Sequence, residues 1–197
     1  MRRVILLLLV WGMCSSGFAT THYVGNNADS GPGSLRNTIA GAAKGDTIKF
    51  KGVTKIPLAS ILEINKTLYV IGNEKQTVIL DGQHQTAILR VVKPPFSRTA
   101  TAYIYGIQFI NGKQGKSTRI PENGGGILNY ATLYLSHCRV LDCHATGDGG
   151  GIYNEGELHI FDTEIAGNEA LVDGGGIMLD TMSGKVEINQ SEVNTNQ

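Results

Sequence analysis

The sequence has only three cysteines, few aromatic side chains and no excess charge of either sign. Its 17 basic residues balance its 17 acidic ones, so the chain lacks the basic surface that binding to nucleic acid requires. Aromatic residues make up 7% of the chain and charged residues 17%, whereas there are 26 glycines. This composition argues against both a disordered chain and a membrane-embedded one, and it is typical of a β-rich exported protein.

Long apolar runs are missing except at the amino terminus. Arg2 and Arg3 precede an apolar stretch at 4–13, and small residues then lead to a cleavage site after Ala19. This pattern predicts a secretory signal peptide at 1–19, and its apolar stretch is too short to span a bilayer. Cleavage would leave two more acidic than basic side chains and only two of the three cysteines. We therefore expect an exported protein.

A glycine triplet followed by isoleucine occurs three times at a constant spacing. The segments are NGGGILN at 123–129, DGGGIYN at 148–154 and DGGGIML at 173–179, so the period is 25 residues. Four apolar columns keep the same register: Ile127, Ile152 and Ile177; Leu133, Leu158 and Val186; Leu135, Ile160 and Ile188; and Val140, Ile165 and Val193. The third unit has three extra residues within 179–184, where a loop is expected. A fixed period of this length indicates a stack of similar units.

Apolar residues alternate within each unit, as at Leu133 and Leu135, and this alternation predicts short β-strands. One such unit cannot bury its apolar side alone, but coils about 4.8 Å apart can hydrogen-bond to each other and share a core. The predicted fold class is therefore all-β, a parallel β-helix. A leucine-rich repeat also fits a 25-residue period, but the helical half of that repeat is missing here.

The repeated glycines are predicted to have a structural role. Where a coil bends tightly or approaches the next coil, a side chain would clash or the turn would require a positive φ angle. A phosphate-binding loop would need a strand–loop–helix context and a nearby lysine, which these segments lack. The positions assigned to the structural role, together with two turn asparagines, are Gly124, Gly125, Gly126, Gly149, Gly150, Gly151, Gly174, Gly175, Gly176, Asn168 and Asn196.

Residues 20–50 are predicted to cap the amino-terminal end of the stack. Ser34 is the expected N-cap of a short helix and Gly45 its stop. The apolar face of this helix contains Leu35, Ile39, Ala42 and Ala43. Covering an open solenoid end in this way prevents edge-to-edge aggregation. Residues 51–118 are then expected to form irregular coils, and residues 119–197 the regular 25-residue coils.

Three features together resemble the polymorphic outer membrane proteins, a family of exported right-handed β-helix proteins. They are GPGSLRNTIAGAAKGDTIKF at 31–50, IYGIQFINGK at 104–113, and the GGGI coils with their EIAGNEA-type turns. The resemblance implies a right-handed parallel β-helix at the outer membrane or cell surface, with an adhesive or spacer role. Family members are longer and carry a C-terminal barrel or sorting segment. Because SEVNTNQ ends partway through a coil, we expect a solenoid truncated at its C-terminus, with three alternatives: a fragment whose C-terminal anchor or barrel domain is missing, a truncated reading frame, or a short secreted product.

Asp148 and Asp173 each precede a glycine triplet, one coil apart, and Asn123 occupies the equivalent position before them. Stacking would bring the two carboxylates about 5 Å apart. They could cap their own turns by accepting backbone N–H groups, bind Ca²⁺, or form the acid pair of a retaining glycosidase. Turn capping is preferred, because only two carboxylates align and Ca²⁺ takes more ligands. No other cofactor is expected.

Cys138 and Cys143 lie in the segment HCRVLDCH at 137–144. Zinc binding is disfavoured, because neighbours in a strand point to opposite faces and the four side chains would not converge. Two alternatives remain. The cysteines form a disulfide, which the exported context permits, or they are free thiols packed as small apolar groups.

Binding partners are less clearly indicated than the fold. A loop with three basic residues at 112–123 could contact an acidic glycan, but a solvated loop explains it better. Tyr130, Tyr134 and Tyr153 share no column, so the aligned units show no aromatic row for a glycan. We therefore expect an exported, non-enzymatic monomer that contacts a surface glycan or host-surface ligand. A carbohydrate-binding or carbohydrate-active β-helix is the alternative.

Overall fold

The chain folds into a stack of coils, and each complete coil runs through three parallel sheets in turn. This arrangement confirms the all-β class and the parallel β-helix. The predicted signal peptide falls, except for its last residue, outside the described part of the chain. The computed structural model describes residues 19–73, 76–95, 99–114, 122–180 and 184–197.

The strands, numbered along the chain, form three long sheets and one short one. In spatial order, the seven-stranded sheet contains β1 (Thr21–Val24), β2 (Thr47–Phe50), β5 (Leu68–Ile71), β8 (Thr101–Tyr105), β11 (Thr132–Ser136), β15 (Glu157–Phe161) and β19 (Lys185–Asn189). The six-stranded sheet contains β3 (Lys55–Pro57), β6 (Val78–Asp81), β9 (Ile107–Ile110), β12 (Arg139–Leu141), β16 (Glu164–Ala166) and β20 (Glu192–Asn194). The five-stranded sheet contains β4 (Leu62–Ile64), β7 (Leu89–Val91), β10 (Ile127–Asn129), β14 (Ile152–Asn154) and β18 (Ile177–Leu179). The short sheet pairs β13 (His144–Ala145) with β17 (Glu169–Ala170).

Strand register confirms the four apolar columns in the regular coils. The paired positions are Ile127, Ile152 and Ile177; Leu133, Leu158 and Val186; Leu135, Ile160 and Ile188; and Val140, Ile165 and Val193. The extra residues of the third unit lie between β18 and β19. Residues 181–183 of this segment are outside the described part of the chain. In the first two units all column side chains are buried, but in the last coil Ile177 and Val186 are partly buried, and Ile188 and Val193 are 42% and 45% exposed.

The irregular coils contribute to the same interior as the regular ones. Ala102 pairs with Leu68 on one side and Leu133 on the other, and all three side chains are buried. These coils differ in length, yet they keep the register because loops absorb the difference while parallel hydrogen bonds align the strands. The interior is therefore one continuous apolar core from Val24 to Ile165.

A short helix, α1 (Leu35–Gly41), packs beside the first coils with Leu35 and Ile39 buried. The Ser34 hydroxyl accepts a hydrogen bond from the Asn37 backbone N–H at 3.2 Å, so Ser34 is the N-cap, as predicted. The helix ends at Gly41 with Ala42 as its C-cap, before the predicted stop at Gly45. Ala42 is buried, whereas Ala43 is exposed and lies beyond the helix, so its assignment to the apolar face was wrong.

Asp46 joins the helix to the first two strands. Its carboxylate accepts hydrogen bonds from the backbone N–H groups of Thr20 and Ala43, both at 2.8 Å, and from His22 Nε2 at 2.7 Å. These bonds favour the ionised form and lower the pKa of Asp46 to about 2, with the Thr20 N–H as the largest cause. The Lys66 ammonium adds a second tie, since it donates to the Ala42 carbonyl at 2.9 Å near the helix C-terminus.

The three glycine triplets stack on one another where each coil turns into the five-stranded sheet, and we call this edge the glycine corner. Gly149 has φ +68° and Gly174 has φ +67°, a conformation that residues with a Cβ rarely adopt. A Cβ on Gly150 would lie 2.5 Å from the Gly175 carbonyl oxygen and closer still to that of Glu169. The corner therefore requires glycine both for its turn and for the close approach of adjacent coils.

Buried asparagines form two further ladders. Asn129 and Asn154 are both 0% exposed, and Asn129 Nδ2 donates to Asn154 Oδ1 at 2.6 Å. At the other turn, Asn168 Oδ1 accepts from the Cys143 N–H and Asn196 Oδ1 accepts from the Asn168 N–H, both at 3.0 Å. Each amide satisfies backbone groups that the turns would otherwise leave unpaired. Asn168 and Asn196 thus have structural positions, and the sequence reasoning missed the Asn129–Asn154 pair.

Candidate ligand-binding face

Outward-facing rings stack along the seven-stranded sheet. Tyr69, Tyr103, Tyr134 and His159 occupy one register column across four successive strands, and we call them the aromatic ladder. Successive ring centroids are 4.6, 4.8 and 4.3 Å apart, and the planes differ by 6°, 17° and 4°. The ring spacing is close to the spacing of strands in a sheet, so the backbone register itself produces the stack.

A second outward column lies two residues further along the same strands. Its members, the outer column, are Ile71, Tyr105, Ser136, Phe161 and Asn189. Tyr105 is 37% exposed and Phe161 43%, and the His137 ring lies 4.8 Å from the first and 6.0 Å from the second. The His137 ring therefore connects the Tyr105 and Phe161 rings, and the Ser136 hydroxyl is 2.9 Å from its Nδ1 atom. The result is an extended aromatic surface on the outer face of the seven-stranded sheet.

An open groove of about 520 Å³ runs between the aromatic ladder and the outer column. Its floor consists of Ile104, Leu135 and Ile160, whose side chains point into the core. Because both walls stand on the same strands two residues apart, the groove is roughly 7 Å wide between columns. It crosses the strands and therefore runs parallel to the solenoid axis. This volume falls within the range of small-molecule sites.

The tyrosine hydroxyls make a polar rim along this groove. Stacking covers the ring faces within the ladder, so Tyr69, Tyr103 and Tyr134 present their edges and hydroxyl groups. Within the described part of the chain these three hydroxyls make no hydrogen bond. Burial, reinforced by the neighbouring tyrosines, raises the pKa of Tyr103 above its ordinary value. At neutral pH the Tyr103 hydroxyl is therefore protonated and can both donate and accept hydrogen bonds.

Charge is confined to the C-terminal end of the groove. His159 lies between Glu157 and Glu187, with nitrogen-to-oxygen distances of 3.4 and 3.1 Å. Hydrogen bonds from Asn189 and His159 lower the pKa of Glu187, so this carboxylate is ionised at neutral pH. Among the described residues that line the groove, Glu187 is the only carboxylate, and none is lysine or arginine.

Of the two aspartates next to the glycine corner, Asp148 caps a turn, but not in the way that was predicted, and Asn123 does the same one coil earlier. Asp148 Oδ1 accepts from the backbone N–H of Asp173 at 3.2 Å, and Asn123 Oδ1 accepts from that of Asp148 at 2.9 Å. Each side chain thus caps the turn of the next coil rather than its own. Among the described residues, no group of three or more His, Cys, Asp or Glu side chains is placed to hold a metal ion.

Cys138 and Cys143 are free, buried thiols in the structure, which is the second of the two alternatives for this pair. Each thiol donates to a carbonyl oxygen two residues earlier, Ser136 and Leu141 respectively, both at 3.3 Å. Burial raises the pKa of Cys138 to about 11 and that of Cys143 to about 12. Both cysteines therefore act as small apolar side chains of the core rather than as nucleophiles.

The structure explains why sequence reasoning missed the aromatic ladder. Tyr130 and Tyr153 lie near each other, with ring centroids 6.4 Å apart, and Tyr134 is indeed in a different column. Its stacking partner Tyr103 belongs to an irregular coil, which the 25-residue alignment does not reach. No contact with a glycan is assigned to the basic loop at 112–123, because most of the loop lies outside the described residues.

Comparison with other proteins adds no assignment. No protein-family model matches the chain, and searches of curated proteins and of solved structures found no match either. In the described part of the chain, no helix has the length and apolar character needed to cross a membrane. The functional interpretation therefore depends on the residues themselves.

Proposed function

We propose that the chain is an exported, non-enzymatic β-helix that acts as an adhesive element and contacts its ligand through the aromatic groove. Six aromatic rings line one groove on the outer face of a sheet, and this observation carries the proposal. Contiguous apolar patches on a polar protein mark interaction sites more often than isolated apolar residues do. Aromatic rings are also the side chains most enriched at the centres of interfaces.

Rigidity supports the proposal. The ladder rings pack against each other, and their strands β5, β8, β11 and β15 each pair with a strand on both sides. A rigid face loses little side-chain entropy when a ligand binds, so more of the contact energy contributes to affinity. A stack of coils can also hold such a face at a distance from the surface that carries it.

A non-enzymatic role is proposed because the described residues of the groove include no pair of carboxylates. Glu187 lies at one end, its hydrogen bonds come from Asn189 and His159, and the other lining residues are aromatic, aliphatic or neutral polar. Acid pairs in glycosidases stand on either side of the scissile bond. Export is proposed from the signal-peptide pattern at 1–19 and from the family resemblance.

The adhesion test uses residues 20–197 immobilised on beads, which are applied to mammalian, plant and bacterial cell surfaces. The variant carries Tyr105→Ser and Phe161→Ser, which remove two exposed rings of the outer column. The matched control carries Leu171→Ser and Val172→Ser, two apolar residues that are 62% and 64% exposed and lie outside the groove. We expect the groove variant to lose at least tenfold in bound beads and the control to bind as the parent does. Equal adhesion of groove variant and parent would contradict the proposal.

Export has its own test. The full chain is produced in a secreting bacterial host, and the mature product is sequenced from its amino terminus. We expect the secreted product to begin at Thr20, which follows the predicted cleavage site. Retention of the uncleaved chain in the cytoplasm would contradict export.

A further inference from the structure

We infer that the aromatic groove binds a single unbranched chain of neutral pyranose sugars, aligned with the solenoid axis. The inference deepens the proposed function and depends on it, since it names the ligand of the same groove. It is argued from the shape of the groove, from the row of tyrosine hydroxyls that make no hydrogen bond to the described residues, and from the distribution of charge.

The shape of the groove restricts the ligand to one extended chain. The two columns of side chains start roughly 7 Å apart on the backbone, whereas an α-helix with its side chains is about 10–12 Å across. The groove is open at its top and continues over Tyr69, Tyr103, Tyr134 and His159. A linear polymer can therefore lie along it, whereas a helix cannot enter it.

The hydroxyl row matches a ligand that carries hydroxyl groups at regular intervals. Tyr69, Tyr103 and Tyr134 offer one hydroxyl per coil, and the ring centroids are 4.6 and 4.8 Å apart. A pyranose residue in an extended chain advances by about the same distance as one coil. Successive sugars could thus meet successive tyrosine hydroxyls, which donate and accept as sugar hydroxyls do. The apolar C–H groups of the sugar rings would contact Tyr105 and Phe161.

An extended peptide fits the groove less well. Peptides that bind to sheets usually add a strand at a sheet edge, where backbone N–H and C=O groups are free. Here the floor is formed by β8, β11 and β15, whose backbone groups already pair with neighbouring strands on both sides. A peptide backbone in the groove would find only side-chain hydroxyls, so much of its hydrogen bonding would be lost.

The charge distribution favours a neutral glycan over an acidic one. The described lining residues provide the Glu187 carboxylate and no lysine or arginine. A polyanion in the groove would therefore meet one like charge and no lysine or arginine among the described lining residues. Such burial of anionic groups without partners is unfavourable.

Calorimetric titration of residues 20–197 tests the inference. The probes are linear tetrasaccharides of β-linked glucose, xylose, mannose and N-acetylglucosamine, beside tetragalacturonate and an extended neutral tetrapeptide. The variant is Tyr103→Phe with Tyr134→Phe, which keeps the rings stacked and removes two hydroxyls. The control is Tyr130→Phe, which removes a hydroxyl outside the groove.

We expect at least one neutral tetrasaccharide to bind, with affinity lowered at least tenfold in the double variant and unchanged in Tyr130→Phe. Three results would overturn the inference: no neutral glycan binds, the tetragalacturonate or the peptide binds more tightly, or the double variant binds as the parent does. If bead adhesion still requires Tyr105 and Phe161 in any of these cases, the adhesive function stands and only the glycan assignment fails. If adhesion is also independent of these rings, the proposed function fails too.

Discussion

The glycine corner and the aromatic face both place equivalent residues on successive coils. The corner repeats the same residue in each coil, whereas the face changes its residue from coil to coil. At the corner the same three glycines recur in three coils, because the close approach of the coils and the positive φ angle permit nothing larger. On the aromatic face the ladder changes from tyrosine to histidine and then to Glu187 in the next coil. Strict repetition in this sequence therefore marks packing, and the candidate binding surface lies where the coils differ.

The largest effect is expected from a side chain placed in the corner. Gly150→Val would drive a Cβ into the carbonyl oxygens of Glu169 and Gly175, which belong to backbone and cannot swing away. We expect a loss of about 4 kcal/mol in the free energy of unfolding, or failure to fold, measured by urea denaturation. The control is Gly41→Ala, where a Cβ meets nothing within 4 Å, with a change below about 1 kcal/mol. Equal stability of the two variants would remove the packing explanation of the triplets.

A smaller loss is expected from the buried asparagines, which are structural although only two coils repeat them. Asn154→Ala removes the acceptor of Asn129 Nδ2 and the donor to the Gly156 carbonyl, both in the interior. We expect a loss of about 2 kcal/mol by the same measurement. Asn194→Ala, on the exposed strand β20, is the control and should change stability little. An unchanged free energy of unfolding in Asn154→Ala would mean that the fold does not depend on these buried amides.

Low pH should destabilise the fold at Asp46, which belongs to neither the glycine corner nor the aromatic ladder. The pKa of Asp46 lies at about 2 in the folded chain, below the ordinary 3.8, so its carboxylate stabilises the fold above about pH 4. That contribution is lost as the pH falls from about 4 towards 2. The difference in Tm between the parent and Asp46→Asn should accordingly be full at pH 7 and shrink towards pH 2. A difference that stays constant with pH would contradict the assigned role of this carboxylate.

The smallest effect on stability is expected on the aromatic face, which sharpens the contrast with the corner. Tyr103→Phe with Tyr134→Phe removes hydroxyls that make no hydrogen bond within the described part of the chain. We expect the free energy of unfolding to change by less than about 0.5 kcal/mol in urea denaturation. A loss comparable to that of Asn154→Ala would show that the tyrosine hydroxyls support the fold.

The same contrast explains how far the sequence could predict the structure. The apolar columns could be predicted from the sequence because Ile127, Ile152 and Ile177 recur at equal intervals. The N-cap at Ser34 could be predicted as well. The aromatic ladder could not be predicted from the sequence, because Tyr69, Tyr103 and Tyr134 are 34 and 31 residues apart and follow no common period. Their alignment comes from parallel hydrogen bonding between coils whose loops differ in length.

Other misses have local causes. The Asn129–Asn154 pair lies within the aligned units, but inward positions of a coil were expected to be apolar, and the next coil has Leu179 there. The capping by Asp148 was assigned to its own turn, because sequence patterns describe single turns, whereas the bond crosses to the N–H of Asp173 one coil away.

The central claim is that the aromatic groove serves binding while the rest of the repeat serves folding. Its most direct test measures Tm and bead adhesion together for Tyr105→Ser with Phe161→Ser, beside the control Leu171→Ser with Val172→Ser. The account predicts that both variants keep a cooperative β-type transition within a few degrees of the parent, and that only the groove variant loses adhesion. Full adhesion by a folded groove variant would contradict it.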